Sequence, residues 1–246
     1  MTTDQPNNCG KFYLLFFLLL FGVGTEALNA QTVYALSGPN LISFDAQTPS
    51  LLTSNTPITG LLQGHALMGL DFRPATGQLY ALGYNSVNAQ AELYIIDRNT
   101  AVGTPIGAPV TLASGIADFG FDFNPTVDRI RVTGDNNSNY RLHPVTGALV
   151  ATDGNLAFAA GDVNVGVDPS ISAVAYTNSY IASPSTTLYN YDYALNILTT
   201  QNPPNNGTLN TVGSSGLTLN IINKSVDLDI YFDPATGTNK AFLTAN

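Results

Sequence analysis

The strongest constraint on this chain is a strand-turn-strand phrase that it writes four times. GLDFRPATGQLYAL (Gly69–Leu82), GFDFNPTVDRIRVT (Gly120–Thr133), VNVGVDPSISAVAYT (Val163–Thr177) and LDIYFDPATGTNKAFLT (Leu228–Thr244) each carry an alternating run, a proline-led turn and a second run. Aligned on Pro74, Pro125, Pro169 and Pro234, the residues two, four and six places earlier are all apolar. They are Phe72, Leu70, Met68; Phe123, Phe121, Phe119; Val167, Val165, Val163; and Phe232, Ile230, Leu228. The residues between them are mostly polar or glycine. Period-two alternation of this kind predicts a β-strand with one packed face. In the turn, proline presets φ, and Gly77 or Gly237 supplies a left-handed residue that closes the hairpin. Second strands are expected at 78–82, 129–133, 173–177 and 240–244. Third strands are expected at 93–97, 140–143 and 188–192, with Pro144-Val-Thr-Gly147 leading to a fourth of weaker pattern. Four antiparallel strands in roughly 45–50 residues is the spacing of a β-propeller blade. A lone sheet of this size leaves both faces bare, so the units must pack radially.

Read this way, residues 31–246 form a single all-β propeller domain, with a partial blade at 31–63 and full blades at 64–113, 114–161 and 162–217. A half blade follows at 218–246. The partial blade supplies second, third and fourth strands at 32–36, 41–45 and 51–58, with no first strand before them. The expectation is a five-bladed complete ring, C-terminally incomplete here, whose first blade receives its inner strand from a later segment. The alternative is an irregular four-bladed ring in which the last strand pair joins the first blade. No helix is needed after residue 31, and Gln201–Gly207, rich in turn formers, reads as an exposed loop.

The N-terminus reads as an address. Lys11 precedes the apolar run Phe12–Gly24, followed by small residues at Ala27 and Ala30. Such a run is shorter than the roughly 20 residues that span a bilayer, and it suits the core of a signal peptide. Residues 1–30 are therefore expected to direct export and to leave no membrane attachment once removed. A buried core helix or an uncleaved anchor is the competing reading. Cys9, the one cysteine, lies ahead of the run, so the mature chain would rely on packing and not on disulfides. A formal net charge of −9 with only 8 Lys and Arg excludes a nucleic-acid partner, because phosphate binding needs clustered cations. A monomer is expected.

The phrases MGLDFRPATGQLYALG, FGFDFNPTVDRIRVTGDNNSNYRLHPVTG, VAYTNS and TTQNPPNNGTLNTVG resemble a bacterial family of secreted repeats, domain of unknown function 4394. The resemblance runs from about residue 31 to the end. It implies an extracytoplasmic bacterial protein, often one module of a larger surface or matrix protein. Members usually continue past the position of Asn246. The family carries no established catalytic residues, so none is transferred.

The residues that could carry chemistry are few. His65 and His143 stand far apart, without a G-x-S-x-G elbow, so a nucleophilic triad is not expected. Zinc is excluded by the count of Cys and His. Asp135-Asn136-Asn137-Ser138-Asn139 matches the first half of an EF-hand loop. Tyr140 and Thr146 stand where its glycine and glutamate belong, which favours a polar hairpin tip. Asp118, Asp162 and Asp227 lie seven places before their prolines and are expected at one mouth of the propeller channel, with Asp71 and Asp122 deeper on the same face. Three carboxylates there could hold Ca²⁺ or water, the only cofactor the sequence suggests. Alternatively, each Asp caps its strand through backbone N–H groups. Arg129, Arg131 and Arg141 cluster in one blade, either as a site for an anionic ligand or as an internal Arg–Asp network. Tyr94, Tyr140, Tyr189, Tyr191 and Tyr193 suit sugar stacking or cross-strand pairing on half-exposed outer strands. Two functions follow. One is a secreted, non-enzymatic module that binds or displays a carbohydrate or protein at the bacterial surface. The other is an extracellular hydrolase or lyase of a glycan or ester that uses the acidic channel mouth.

Overall fold

The computed structural model describes residues 31–218 and 226–245, so the N-terminal apolar run lies outside the described residues. The chain folds as four propeller-like blades and a final hairpin. The first blade is β1 (Thr32–Ser37), β2 (Asn40–Asp45) and β3 (Leu52–Pro57). The second is β4 (Ala66–Phe72), β5 (Leu79–Asn85), β6 (Gln90–Ile96) and β7 (Gly103–Thr111). The third is β8 (Phe119–Asn124), β9 (Arg129–Gly134), β10 (Asn139–Leu142) and β11 (Leu149–Thr152). After β12 (Ala157–Phe158) comes the fourth blade, β13 (Ile171–Tyr176), β14 (Leu188–Asp192), β15 (Ile197–Gln201) and β16 (Thr208–Ser214). β17 (Val226–Asp233) and β18 (Thr238–Ala245) pair only with each other among the described residues. Successive strands within each blade are antiparallel. Among the described residues there is no α-helix, only a 3₁₀ turn at Pro204–Asn206. No helix there is long and apolar enough to cross a membrane.

The inner strands β4, β8, β13 and β17 stand side by side in chain order. Alternation puts Leu70 and Phe72 toward the first blade, beside Tyr34 and Leu41, and Gly69 and Asp71 toward β8. A Cβ added to Gly69 would lie 2.6 Å from Cβ of Phe121, and one added to Gly120 would lie 2.8 Å from Cγ1 of Val174. Glycine at these two positions is what lets neighbouring inner strands approach so closely. The core lies between blades, as radial stacking requires. Tyr80, Leu82 and Leu93 of the second blade meet Phe119, Phe121 and Phe123 of the third. The Tyr80 and Phe123 rings cross edge-to-face at 5.1 Å. Leu228 and Ile230 of β17 pack on Ala173, Ala175 and Tyr191 of the fourth blade.

The third copy of the repeat folds differently from its pattern. Val163, Val165 and Val167 are 84%, 54% and 43% exposed in a run of turns, with Gly166 at φ 82°. The inner strand of that blade is instead Ile171–Tyr176, all six residues buried. A strand covered on both faces has no reason to alternate, and its small Ser172, Ala173 and Ala175 admit close neighbours. The strands that follow it each take a place one step further in than the pattern suggested. Ala157–Phe158 also leaves the third blade and runs parallel to β16 of the fourth.

The Gln201–Gly207 loop is exposed at Asn202, Pro203, Asn205 and Asn206, as its composition suggests, while its ends, Gln201 and Gly207, are buried and Gly154 N–H donates to Asn205 O at 3.0 Å. It clamps the fourth blade to the third. One further expectation is corrected: Tyr94, Tyr140 and Tyr191 are buried and not half-exposed. Their hydroxyls serve the backbone and loops: Tyr94 accepts Leu62 N–H at 3.1 Å, and Tyr140 accepts Ala113 N–H at 2.9 Å. Tyr191 bonds Ser215 at 3.0 Å. Tyr189 and Tyr193 are half-buried against the β17 hairpin.

Candidate functional site

Alternation along the inner strands aims a series of carboxylates at one place. Asp71 of β4 accepts Phe123 N–H of β8 at 2.8 Å, and Asp122 of β8 accepts Tyr176 N–H of β13 at 3.2 Å. Each is a latch from one inner strand to the next. In β17, Leu228 and Ile230 face the fourth blade, so Asp227, Asp229 and Tyr231 face the opposite way. Carboxylate oxygens of Asp71, Asp122 and Asp229 lie within 4.8 Å of one another. Asp227, two residues from Asp229 on the same face, accepts Leu228 N–H at 2.9 Å.

These acids are costly to ionise together. Burial pushes Asp71 well above the usual carboxylate range, and the negative charge of Asp229 pushes it further. Asp122 rises for the same reasons, burial first and then Asp71 and Asp229. Burial raises Asp229, and it pushes Asp227 up to about 6. Asp227 and Asp229 keep solvent-exposed surface while protein atoms crowd around them, a poorer setting for charge than bulk water.

Asp71, Asp227 and Asp229 line a cavity of about 420 Å³ bounded mainly by three elements. β1 contributes Thr32–Leu36, β4 contributes Leu70–Arg73, and the β17 hairpin contributes Asp227, Asp229, Tyr231 and Phe242. The arginines of its wall are engaged. Arg73 Nε donates to Asp128 at 2.8 Å, and Arg98 lies over the Phe72 ring at 5.6 Å. The inner end is therefore acidic and the sides largely apolar.

Of the three acids expected at the channel mouth, only Asp227 stands beside this cluster. Asp162 accepts Thr211 N–H at 2.6 Å and the Thr211 hydroxyl at 2.7 Å, which ties its turn to the outer strand β16. It was displaced with the rest of the misaligned third copy. Asp118 precedes β8, and its carbonyl accepts Asp135 N–H at 3.1 Å. The missed residue is Asp229. Its signal was present in the repeat, since it occupies the place held by Gly69 and Gly120 in two other copies.

The basic residues form no common anion site. Arg131, 2% exposed, donates to Asp153 at 2.6 Å, Asn139 at 2.7 Å and Asn205 at 2.8 Å. Arg141 meets Asp153 through two nitrogens at 2.8 and 2.9 Å. Arg129 turns to the carbonyl of Asp128 at 2.8 Å. His65 Nδ1 lies 3.3 Å from the Tyr94 hydroxyl, and His143 Nδ1 accepts Val145 N–H at 3.2 Å. The two histidines occupy different blades. The EF-hand-like segment is a hairpin tip: Asn137 has φ 69°, and Asn136 accepts Ser138 N–H at 3.2 Å.

A family model described as a domain of unknown function, DUF4394, matches residues 40–246. No curated protein matches the sequence. Among solved structures, glutaminyl cyclase of Myxococcus xanthus aligns with a TM-score of 0.53 at 13% identity, over 84% of this chain and 77% of that one. At that identity the likeness is one of fold. A putative 6-phosphogluconolactonase from Bacteroides uniformis aligns at 0.39 and 13% identity, over 86% and 70%. BBS1N, from a complex with ARL6DN, aligns at 0.39 and 7%, over 87% and 58%. Neither of these two carries an inference.

Proposed function

From a chain that belongs to the DUF4394 family, whose function is unknown, we propose a non-enzymatic binding module that works outside the bacterial cytoplasm. The observation that carries this reading is the cavity between β1, β4 and the β17 hairpin, with apolar sides and an acidic floor. Binding sites are concave, mostly apolar and furnished with a few convergent polar groups, and this cavity has that composition. Export is proposed from the apolar run at Phe12–Gly24, and a five-bladed ring from the same geometry. In that ring the β17 hairpin begins one blade, and the first blade lacks only the strand between β1 and the channel. No base and nucleophile face each other among the described residues, and two of the acids already serve as latches between strands.

A second reading is favoured by one observation. Carboxyl groups raised by burial and by each other, gathered in one cavity, are the equipment of an acid-base hydrolase or lyase. One experiment separates the two. The whole chain is assayed on chromogenic esters, lactones and glycosides, and in parallel on a glycan and peptide array. Array binding without turnover is expected. Turnover that disappears in Asp71→Asn or Asp229→Asn replaces the binding reading with the catalytic one.

A further inference from the structure

The two sides of the third blade are built at equivalent positions from different chemistry. In the second blade Gly69 stands opposite Leu82, and Leu82 opposite Leu93. One blade on, Gly120 stands opposite Thr133, and Thr133 opposite Asn139. The facing sheets correspond in the same way. Phe121, Val132 and Tyr140 form a cross-strand row in the third blade, and Val174, Asn190 and Thr199 form it in the fourth. The glycines fix the correspondence, since a Cβ on Gly69 would meet Phe121 and one on Gly120 would meet Val174. Between the second and third blades this layer is apolar, and its one hydroxyl, on Tyr140, accepts Ala113 N–H. Between the third and fourth blades it is threonine and asparagine around Val174. Each of these side chains is smaller than its counterpart. The exchange takes side-chain volume out of the layer and brings hydrogen-bonding groups in.

Protein does not satisfy all of those groups. Thr133 Oγ1, Asn190 Oδ1 and Thr199 Oγ1 are buried without a hydrogen-bond partner. They belong to one circuit across the seam. Asn139 Nδ2 and Gln201 Nε2 both donate to the Pro204 carbonyl, at 3.1 and 2.6 Å, and Asn190 Nδ2 donates to Gln201 Oε1 at 3.1 Å. Asn190 has Thr199 on one side and Val174 on the other. Val174 and Thr133 close the circuit at Gly120, where Thr133 Oγ1 lies 2.5 Å from the place of a Cβ. Thr133, Asn139, Asn190, Thr199 and Gln201 are each no more than 1% exposed, so bulk solvent does not serve these oxygens. A buried polar atom with no partner forfeits its hydration and gains nothing in return.

We propose that the seam between the third and fourth blades is an internal hydration site, in which ordered water is held by the oxygens of Thr133, Asn190 and Thr199. Water is the ligand that this chemistry selects. Asn190 Oδ1 can only accept, whereas the two hydroxyls can donate or accept, and a buried water commonly makes about three such bonds. The guanidinium of Arg131, on the same face of β9, is already paired with Asp153, so the oxygens need a neutral donor. The hydrated seam is separate from the cavity beside β1 and does not depend on how that cavity is used.

The test uses the natural chain and one variant that keeps side-chain shape. In the natural chain, magnetic relaxation dispersion of the water oxygen is expected to detect long-lived internal water. Overhauser transfer from that water is expected at the side-chain amide of Asn190. Thr133→Val combined with Thr199→Val removes two of the three oxygens and suits a strand. The variant is expected to lose part of the relaxation signal and to unfold at a lower urea concentration, because the water it retains has fewer partners. If the oxygens are dry, the same variant relieves two unpaired groups and unfolds at an equal or higher urea concentration, which overturns the proposal. An unchanged relaxation signal in the variant overturns it as well. So does absence of transfer at Asn190 in the natural chain, a result that stands whether or not the variant folds.

Discussion

At the scale of single residues, position on a strand decides whether an acid is a latch or a liability. Asp71 and Asp122 are both, since each accepts a backbone N–H from the next inner strand while standing near Asp229. Their raised proton affinity makes stability depend on pH in a definite sense. A carboxyl whose folded pKa lies above its unfolded value stabilises the fold fully at low pH. That contribution is lost as pH rises through the folded pKa. Asp71, Asp122, Asp227 and Asp229 all act this way, with Asp227 at about 6. Burial moves Glu92 in the same direction. Asp233 acts oppositely: its bond to Lys240 lowers it to about 2, so its contribution is present above the unfolded value near 3.8 and lost as pH falls toward 2. Melting temperature is therefore expected to be highest at about pH 4, where Asp233 is ionised and the raised carboxyls are still protonated in the folded chain, and to fall as pH rises through about 6. Asp71→Asn keeps an acceptor for Phe123 N–H and discards the charge. Calorimetric melts across this range are expected to show a shallower fall for that variant than for the natural chain.

At the scale of elements, the clamp between the third and fourth blades turns on Asp153. It is the shared partner of Arg131 and Arg141, and Arg131 reaches on to Asn205 in the turn before β16. Asp153→Ala leaves the guanidinium of Arg131, 2% exposed, without its counter-charge. Breaking a buried pair from one side costs about 3–5 kcal/mol. Urea unfolding is expected to register a loss of that size, and a loss under 1 kcal/mol would mean that the pair adds little beyond its hydrogen bonds. The same element shows how far local pattern reaches. Arg131 and Arg141 are legible as a cluster because they sit in one repeat, whereas Asp153, which joins them, carries no mark in the pattern. Nor does Asn205, since nothing in Gln201–Gly207 marks it as anything but a turn. Val163–Val167 shows the converse, perfect alternation without a strand, because a neighbouring segment with no alternation covers the channel better.

At the scale of the whole molecule, the stacking of blades brings acids from three inner strands, Asp71, Asp122 and Asp229, within 4.8 Å of one another. Such a group offers oxygen ligands of the kind that Ca²⁺ takes. If these acids serve as latches between strands and not as a metal site, millimolar Ca²⁺ and then a chelator are expected to leave the melting temperature unchanged at pH 7. A reversible rise with Ca²⁺, lost in Asp229→Asn, would assign the site to the ion. Arginines join blades at two places, Arg73 to Asp128 and Arg131 to Asn205, and most of the remaining contact between the blades lies in their cores. Their cohesion is largely apolar, set between sheets, and it explains why a chain with so few charges carries a large shared core.

By itself the sequence determined what is local. Alternation marked three of the four inner strands, and the proline-led turns after them placed their hairpins. The repetition of both required sheets stacked about an axis, because each four-stranded unit is too thin to bury itself. Only the tertiary structure decided which segment lies innermost in the fourth blade, that Asp162 serves an outer strand, and that residues 71, 122 and 229 come together beside a cavity. Those outcomes depend on which faces neighbouring blades cover. Coverage is a property of strands far apart in the chain, to which a period of two residues is blind.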